Sequence, residues 1–496
     1  MTRRRSAVLP AALSLFAAAL LASPAYLEAQ DAGKAMVAEL IESRATEYGT
    51  MAQQIWELAE VGYQEEESAG LLASDLETEG FEVTMGVADI PTAFVAEWSN
   101  GEGPVVGIMA EYDALPGINQ DRVPERQTIP GKGAGHACGH HLFAAGSTAA
   151  AVATRHWMEE TGTTGTIRLY GTPAEEGGAG KVYMVRAGLF DDVDVMLHWH
   201  AGDQNSAGAY STLANKSAKF RFNGVSAHAA GAPERGRSAL DAVEAMNHMV
   251  NMMREHVPQE TRIHYVITYG GAAPNVIPDF SEVYYYVRHP DPAQARDIFD
   301  RVAQAAEGAA MGTGTSMEFE VIHGIYNLLP NVALQQAVHA NLQEVGGVIY
   351  DDEEWDFAEA LYESLPDDAP PLESAAEVQP FFHTEEGRGG STDVGDVSWA
   401  VPTAGMRAAT WIPGTSAHSW QAIAAGGTDI GNKGMVVAAK TLAMTAVDLF
   451  TDPELVAAAR AEYDDRIPDD WVYEPLLGDR PPPLDYREPS TGGGGR

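Results

Sequence analysis

Three short apolar stretches of the chain each lead directly into acidic or histidine side chains, and this repeated pattern constrains the fold more than any other feature. The stretches are 104–110, before Glu111 and Asp113; 166–172, before Glu175 and Glu176; and 193–200, which ends in His198 and His200. Short apolar runs are typical of buried strands in α/β sheets. Because open α/β sheets collect their sites at the carboxyl ends of strands, we expect an α/β fold with a mixed sheet and a site along one edge.

The middle of the chain follows a different pattern. Strand-like runs at 218–224, 262–270, 282–288 and 316–322 alternate with helical runs at 238–255 and 291–310. This βαββαβ order is the ferredoxin-like split arrangement. We therefore predict a domain at 215–328 inserted between two parts of a catalytic domain, 30–214 and 329–465. The acidic stretch near 351–386 is predicted to be a solvated insertion, and residues 466–496 an extended or disordered tail.

The N-terminus has the three parts of a secretory signal peptide. Arg3, Arg4 and Arg5 are followed by an almost unbroken apolar run at 7–22 and then by small residues. The run is short for a membrane span, which needs about 20 apolar residues, so a cleaved signal is favoured over an uncleaved anchor. We predict a signal peptide at 1–29, cleaved after Ala25 or Ala29. The mature protein is then expected to be periplasmic or secreted, without a membrane contact.

The charge balance excludes two classes of partner. The chain has 31 Lys and Arg against 71 Asp and Glu, for a formal net charge of −40. Nucleic acids and anionic membrane surfaces are bound by basic faces. Neither is therefore expected as a partner.

One loop concentrates metal-binding side chains. It holds the single cysteine of the sequence, Cys138, beside His136, His140 and His141. In an oxidising compartment a lone thiol is a liability unless it is buried, reactive or bound to metal. A metal site explains the cluster best, and the alternative is a buried structural cysteine beside surface histidines.

Four segments together carry the ligands of a metal centre. They contribute Cys138 with His140, Glu175 with Glu176, His200, and His418. A thiolate, imidazoles and a carboxylate suit Zn²⁺, Mn²⁺ or Co²⁺ better than Ca²⁺ or Mg²⁺. One of two adjacent carboxylates can bind metal while the other transfers a proton, and a divalent ion lowers the pKa of a bound water to about 7. The residues thus predict metal-assisted hydrolysis of a carbonyl compound.

Several sequence segments together resemble one enzyme family. These are MAEYDALP, GHACGHH, PAEEGG, HWH, NGVSAHAA, PNVIPD and SAHSWQ, in this order. In them the chain is similar, from about residue 33 to 450, to the di-metal amidohydrolases and aminoacylases of the carboxypeptidase G type, which include hippurate hydrolase. STDVGDVSW and HSWQ look most like one branch, aminobenzoyl-glutamate utilisation protein B. The resemblance implies a zinc-peptidase-like catalytic domain with an inserted ferredoxin-like lid and dimerisation domain.

The resemblance also implies an enzyme and assigns roles in its site. The substrate would be an N-acyl amino acid or a dipeptide-like amide with a free carboxylate, cleaved by metal-bound hydroxide. Each subunit would hold two divalent ions, zinc or manganese with cobalt as a further candidate. The ligands would be Cys138 in the bridging position, His140, Glu176, His200 and His418. Glu175 would be the general base and then the acid, and Asp113 would orient a ligand histidine.

Further residues are assigned outside the ligand segments. Asn275 and Arg288 would hold the substrate carboxylate. His228 would reach the metal centre of the partner subunit, in a homodimer formed through the inserted domain, and stabilise the oxyanion there. His198 is the alternative to His200, since strand alternation places both on one face, and the motif favours His200. The chain departs from the family pattern at Glu111 and His141.

Two other functions fit the same ligands. One is a metal-dependent binding or carrier protein without turnover, and the other is an esterase or deacetylase on the same scaffold. The adjacent Glu175 and Glu176 favour an enzyme, because a binding protein needs no base beside its ligand.

Overall fold

The computed structural model describes residues 24–387, 389–468 and 470–487. Most of the predicted signal peptide lies outside these residues. The helices are α1 (Pro24–Ser43), α2 (Ala45–Leu58), α3 (Glu66–Thr78), α4 (His140–Thr161), α5 (Gly180–Arg186), α6 (Ala239–Met253), α7 (Pro292–Thr313), α8 (Val332–Val345), α9 (Asp352–Tyr362), α10 (Val394–Ser398), α11 (Trp420–Gly426), α12 (Asp429–Thr451) and α13 (Pro453–Arg466). The strands are β1 (Glu82–Met85), β2 (Phe94–Ser99), β3 (Val105–Ala110), β4 (Leu115–Pro116), β5 (Ala134–Gly135), β6 (Thr166–Gly171), β7 (Val195–Gly202), β8 (Ala209–Ser211), β9 (Ala214–Asn223), β10 (Arg262–Tyr269), β11 (Phe280–His289), β12 (Ser316–Ile325), β13 (His383–Gly387) and β14 (Thr403–Ala409).

A six-stranded mixed sheet carries the site. Its strand order is β1-β2-β6-β3-β7-β14. The four strands β6, β3, β7 and β14 run parallel to one another, whereas β2 runs antiparallel to both β1 and β6. The three predicted apolar runs are the neighbouring strands β6, β3 and β7. The expectation of an α/β fold with a mixed sheet is therefore confirmed.

Helix α4 packs closely on this sheet because its sequence is rich in small residues. A methyl group added at Gly146 would lie 2.9 Å from the Trp199 ring on β7. Helix α12 packs against α4 in turn. Within the described residues α12 is the one helix long and apolar enough to cross a membrane, but 78% of its most apolar window is buried inside the protein. The buried surroundings of α12 identify it as a helix of the protein core.

The inserted domain is built on a second, fully antiparallel sheet with the order β10-β11-β9-β12. Helices α6 and α7 cover one face, and a separate core of apolar side chains lies between helices and sheet. The chain runs β9-α6-β10-β11-α7-β12, which is the predicted βαββαβ order. The ferredoxin-like insertion is confirmed. Strand β10 lies at the edge of its sheet.

Two segments differ from the sequence expectation. The acidic stretch contains α9, which begins with an Asp351 capping box and buries Ala358 and Leu361, so this part packs on the core rather than projecting into solvent. Its apolar positions recur with helical spacing among the acids, and that spacing outweighs the charge. Residues 470–487 form neither helix nor strand, yet they bury Leu476 and Leu477 against the rest of the protein.

Candidate metal centre

The predicted ligands gather near the carboxyl ends of the parallel strands. Cys138 precedes α4, and Gly139 between them has φ 77°, a left-handed conformation that glycine adopts easily. His200 lies within β7 and His140 begins α4. His418 itself has φ 61° and its backbone N–H donates to the Ala137 carbonyl at 2.9 Å. Left-handed backbone at a non-glycine residue is strained and gathers at functional sites.

Two backbone hydrogen bonds to carboxylates fix the loop after β6. Ala174 also has a left-handed backbone, with φ 59°. Its N–H donates to the buried Glu65 carboxylate at 2.9 Å, and this contact fixes the turn that carries Glu175 and Glu176. The Glu176 N–H donates to Asp113 at 2.9 Å, which links this loop to the end of β3.

Two overlapping groups of ligand atoms share Cys138. The first contains Cys138, His140 and His200, and the second contains Cys138, Glu176 and His418. Within each group the ligand atoms lie within 4.8 Å of one another. The structure thus brings together all five side chains predicted as ligands, with the thiol between the two groups.

The donor atoms of these groups fit bound cations. His140 Nε2 and Glu176 Oε1 are buried and have no hydrogen-bond partner within the described residues. Glu176 Oε1 lies 3.1 Å from His418 Nε2 without hydrogen-bond geometry. Buried polar atoms without partners are costly, and a divalent ion would satisfy them. Imidazole, thiolate and carboxylate are donors that Zn²⁺, Mn²⁺ and Co²⁺ accept.

Hydrogen bonds orient the imidazoles. His140 Nδ1 lies 2.9 Å from Asp113 Oδ1, so the ring turns Nε2 toward the centre. His200 Nδ1 lies 2.8 Å from the Ala201 carbonyl, which leaves Nε2 facing Cys138 Sγ at 3.4 Å. Burial, together with Arg407 nearby, lowers the pKa of His200 well below its usual value. A neutral imidazole is the form that binds metal.

Of the two histidines on β7, only one joins a ligand group. His200 approaches Cys138, whereas His198 lines the same cavity outside both groups. His141, a departure from the family pattern, is buried and lies 2.9 Å through Nε2 from the Gly426 carbonyl. His141 therefore links the start of α4 to the end of α11 and is in neither ligand group.

Glu175 lies beside the ligand groups in a cavity of about 540 Å³. Burial raises the pKa of its carboxyl well above the usual value, and the neighbouring Glu111, Glu176 and Asp393 raise it further. A carboxyl with a raised pKa is suited to accept and return a proton.

A buried ion-pair network behind Glu175 was not predicted. Lys181 on α5 is fully buried, and its Nζ lies 2.7 Å from Glu111 Oε1 and 2.6 Å from Asp393 Oδ1. Glu111 Oε2 in turn lies 3.1 Å from His140 Nε2, without hydrogen-bond geometry. The sequence carried one signal for it, a lysine directly before the mainly apolar run at 182–185.

The centre opens into a larger cleft of about 750 Å³ between the two sheets. Glu175, Glu176 and His418 line both cavities. Arg288, at the end of β11, projects into the cleft, and its Nη1 lies 3.3 Å from Ser391 Oγ. The predicted carboxylate-binding arginine thus lies in the same cleft as the predicted ligands.

His228 and Asn275 lie elsewhere, side by side on the inserted domain. The Ala229 N–H donates to the Asn275 carbonyl at 3.0 Å. His228 forms an isolated antiparallel β-bridge with Val276. Both residues are exposed, and neither lines the two cavities. Within one chain the structure does not bring them to the metal centre.

Comparisons with known proteins agree with this architecture. Residues 210–314 match the M20 peptidase dimerisation domain. The chain is 41% identical over 453 residues to one of the subunits of the p-aminobenzoyl-glutamate hydrolase of Escherichia coli, in an alignment that covers 86% of this chain and 93% of that protein. It is 31% identical over 444 residues to Xaa-Arg dipeptidase of Mus musculus, covering 87% of this chain and 92% of that protein.

A solved structure shows the same fold. The YXEP protein of Bacillus subtilis, a dinuclear metal binding peptidase from the M20 family, aligns with a TM-score of 0.53 at 20% identity. The alignment covers 82% of this chain and 98% of that chain.

Proposed function

Because this chain belongs to the M20 family of amidohydrolases and peptidases, it hydrolyses amide bonds, and we propose that its substrate is an N-acyl amino acid or dipeptide-like amide with a free carboxylate. Compounds like p-aminobenzoyl-glutamate are the first candidates, given the relative that is 41% identical. One observation carries the proposal: two ligand groups share Cys138 beside the half-buried Glu175, in a cavity that opens toward Arg288.

Two divalent ions would be held by the five predicted ligands. Cys138, His140 and His200 would hold one, and Cys138, Glu176 and His418 the other. When bound, such ions polarise a substrate carbonyl and lower the pKa of water. Zinc or manganese is expected first, with cobalt as a further candidate.

Glu175 would move the protons of the reaction. Its carboxylate would take a proton from the attacking water and return it to the amide nitrogen that leaves. Burial first, and then Glu111, Glu176 and Asp393, raise the pKa of its carboxyl. Lys181 balances the charge of Glu111 and Asp393, so these carboxylates can stay close to Glu175.

Arg288 would orient the substrate. Its guanidinium lines the cleft and has no carboxylate partner within the described residues, so it is free to bind the substrate carboxylate bidentately. This would place the scissile amide at the mouth of the smaller cavity, beside Glu175.

The active unit would be a homodimer formed through the inserted domain. Edge strand β10 exposes Tyr265, Val266, Ile267 and Tyr269, which are 39% to 56% accessible. A long, apolar, unpaired edge strand is a surface that pairs with another chain. The hydrolase of Escherichia coli has two kinds of subunit, of which the relative is one; for this chain we expect two identical subunits.

His228 would complete the site of the partner subunit. Its Nδ1 accepts the N–H groups of Ala230 and Gly231 at 3.2 and 3.1 Å, so a neutral ring carries its proton on Nε2. The turn therefore presents an exposed donor, the group that a developing oxyanion requires.

A substrate panel tests the proposal. The purified protein is stripped with a chelator, reloaded with Zn²⁺, Mn²⁺ or Co²⁺, and assayed on p-aminobenzoyl-glutamate, N-acetyl amino acids, Xaa-Arg dipeptides and matched esters. We expect amide cleavage only with metal. Cleavage of esters alone would favour an esterase, and metal binding without any turnover would contradict the mechanism.

Export is a separate proposal that rests on the sequence pattern at 1–29. Intact-mass measurement of the protein secreted by an expression host is expected to show cleavage after Ala25 or Ala29. A cell-associated product that retains residues 1–29 would contradict it.

A further inference from the structure

The C-terminal segment 470–487, here called the strap, is anchored across the junction of the two domains. Tyr473 donates its hydroxyl to Asp396 at 2.7 Å, and Tyr326 donates to the Glu474 carbonyl at 2.9 Å. Leu476 and Leu477 are buried, and the strap backbone passes so close to Gly324 on β12 that a methyl group there would meet the Leu476 carbonyl carbon at 2.6 Å. The strap is thus a packed element of the fold.

The second half of the strap reaches the metal centre. Arg186 on α5 donates to the carbonyls of Gly478 and Arg480 at 3.0 and 2.8 Å. At its end, Tyr486 donates to the Glu176 carbonyl at 3.0 Å, and Arg487 donates to the same oxygen. The strap therefore ends on the backbone of a predicted metal ligand and forms one wall of the 750 Å³ cleft.

The cleft carries an excess of positive charge in a strongly acidic chain. Apart from Glu175 and Glu176, it is lined by the carboxylates Glu320 and Asp485 and by five cationic side chains: Lys219, Arg221, Arg288, Arg480 and Arg487. Arg221 and Arg480 form ion pairs with Glu320.

Two guanidinium groups in the cleft stay without a carboxylate. Neither Arg288 nor Arg487 has an acidic partner in the part of the chain that the structure describes, and the Nε atom of each is buried without a hydrogen-bond partner. Both lie near the buried His323, whose pKa falls to about 3 through burial first and then through these two cations. His323 is thus neutral and adds no competing charge.

Two half-buried guanidiniums beside one hydrolytic centre fit a ligand with two anionic groups. We propose that Arg487, supplied by the strap, binds a second carboxylate of the substrate and so selects acidic amino acids, while Arg288 binds the α-carboxylate. This inference rests on the proposed amide hydrolysis and adds a specificity-determining residue to it. The competing explanation is that Arg487 only tethers the strap to the Glu176 carbonyl.

The experiment compares two substrates that differ by one charge. Wild type, Arg487→Gln and Arg487→Lys are assayed on p-aminobenzoyl-glutamate and p-aminobenzoyl-glutamine, with Arg460→Gln on exposed α13 as the control for loss of a surface charge. We expect the preference for glutamate over glutamine, as a ratio of kcat/KM, to fall at least about 10-fold in Arg487→Gln. Arg487→Lys should recover part of it, and Arg460→Gln should keep the wild-type ratio.

A binding measurement separates this inference from the proposed reaction. Calorimetric titration of the metal-loaded Glu175→Gln protein with the two substrates reports the same preference without turnover. If the Glu175→Gln protein binds the glutamate substrate more tightly than the glutamine substrate, and Arg487→Gln removes this difference, the inference is supported even if wild type proves inactive. If Arg487→Gln in the Glu175→Gln background weakens binding of both substrates equally, or if the metal-loaded Glu175→Gln protein binds neither substrate, the inference is wrong.

Discussion

At the scale of single residues, replacing the Glu175 carboxyl by an amide tests proton transfer with little change in side-chain shape. We expect Glu175→Gln to keep its metal, because all five predicted ligands stay in place, and to lose roughly 10²–10⁴-fold in kcat since the amide cannot accept a proton. Metal content by mass spectrometry and turnover of p-aminobenzoyl-glutamate check the two parts. Glu66→Gln, at an exposed position of α3, is the control. Near wild-type turnover in metal-loaded Glu175→Gln would remove Glu175 from the mechanism.

The sequence predicted the residues of the centre far better than the residues behind it. The five predicted ligands have side-chain chemistry that identifies them, and they lie near strand ends or in glycine-rich turns: Cys138, His140, Glu176, His200 and His418. Lys181 and Asp393 are 212 positions apart, and neither is a metal-type ligand in its own segment. Their contact depends on how α5 and the 391–399 segment meet, which no local pattern encodes.

At the scale of elements, β10 is an edge strand with exposed apolar side chains, and we propose that it forms the dimer interface. We expect Val266→Lys to convert the dimer to a monomer, because lysine on an edge strand opposes pairing between chains. Light scattering after size exclusion reports the mass. Met311→Lys, on α7 of the same domain, is the matched control, since Met311 is 85% exposed on a helix that packs on β9, β11 and β12. A monomeric Met311→Lys and a dimeric Val266→Lys would place the interface elsewhere.

The strands and helices of both sheets follow from hydrophobic periodicity, and the predicted bounds differ from the structure by a few residues. Strand β12 ends at Ile325 rather than 322. The reason is tertiary: His323 lies 3.0 Å from the Asn215 amide, so contacts at the base of the domain extend the ladder. The tail was harder to predict, because its few apolar residues have no regular spacing and find their partners on both domains.

At the scale of the whole molecule, the positions of His228 and Glu175 predict complementation between inactive subunits. His228→Ala and Glu175→Ala are each expected to be nearly inactive. After subunit exchange, a mixed dimer holds one site with an intact Glu175 and a donated His228. With random exchange of equal amounts, about a quarter of the wild-type activity should return, since half of the dimers are mixed and each has one working site.

Two controls make this result decisive. Exchange must be shown directly, by mass spectrometry of differently tagged subunits. Each variant is also mixed with itself, and these samples should stay inactive. If exchanged dimers remain as inactive as their parents, His228 does not act across the interface.

Cys138 belongs to both ligand groups and is the single thiol of the chain. Its chemical modification therefore reports site occupancy without background from other thiols. A thiolate shared between two cations is a poor nucleophile, so the loaded protein should resist iodoacetamide even at alkaline pH. In the chelated protein burial raises the pKa of the Cys138 thiol, so one carbamidomethyl group per chain should be gained slowly and faster as the pH is raised. Intact-mass spectra of the protein titrated with metal would then count filled centres directly, and the count would not require any substrate to be known.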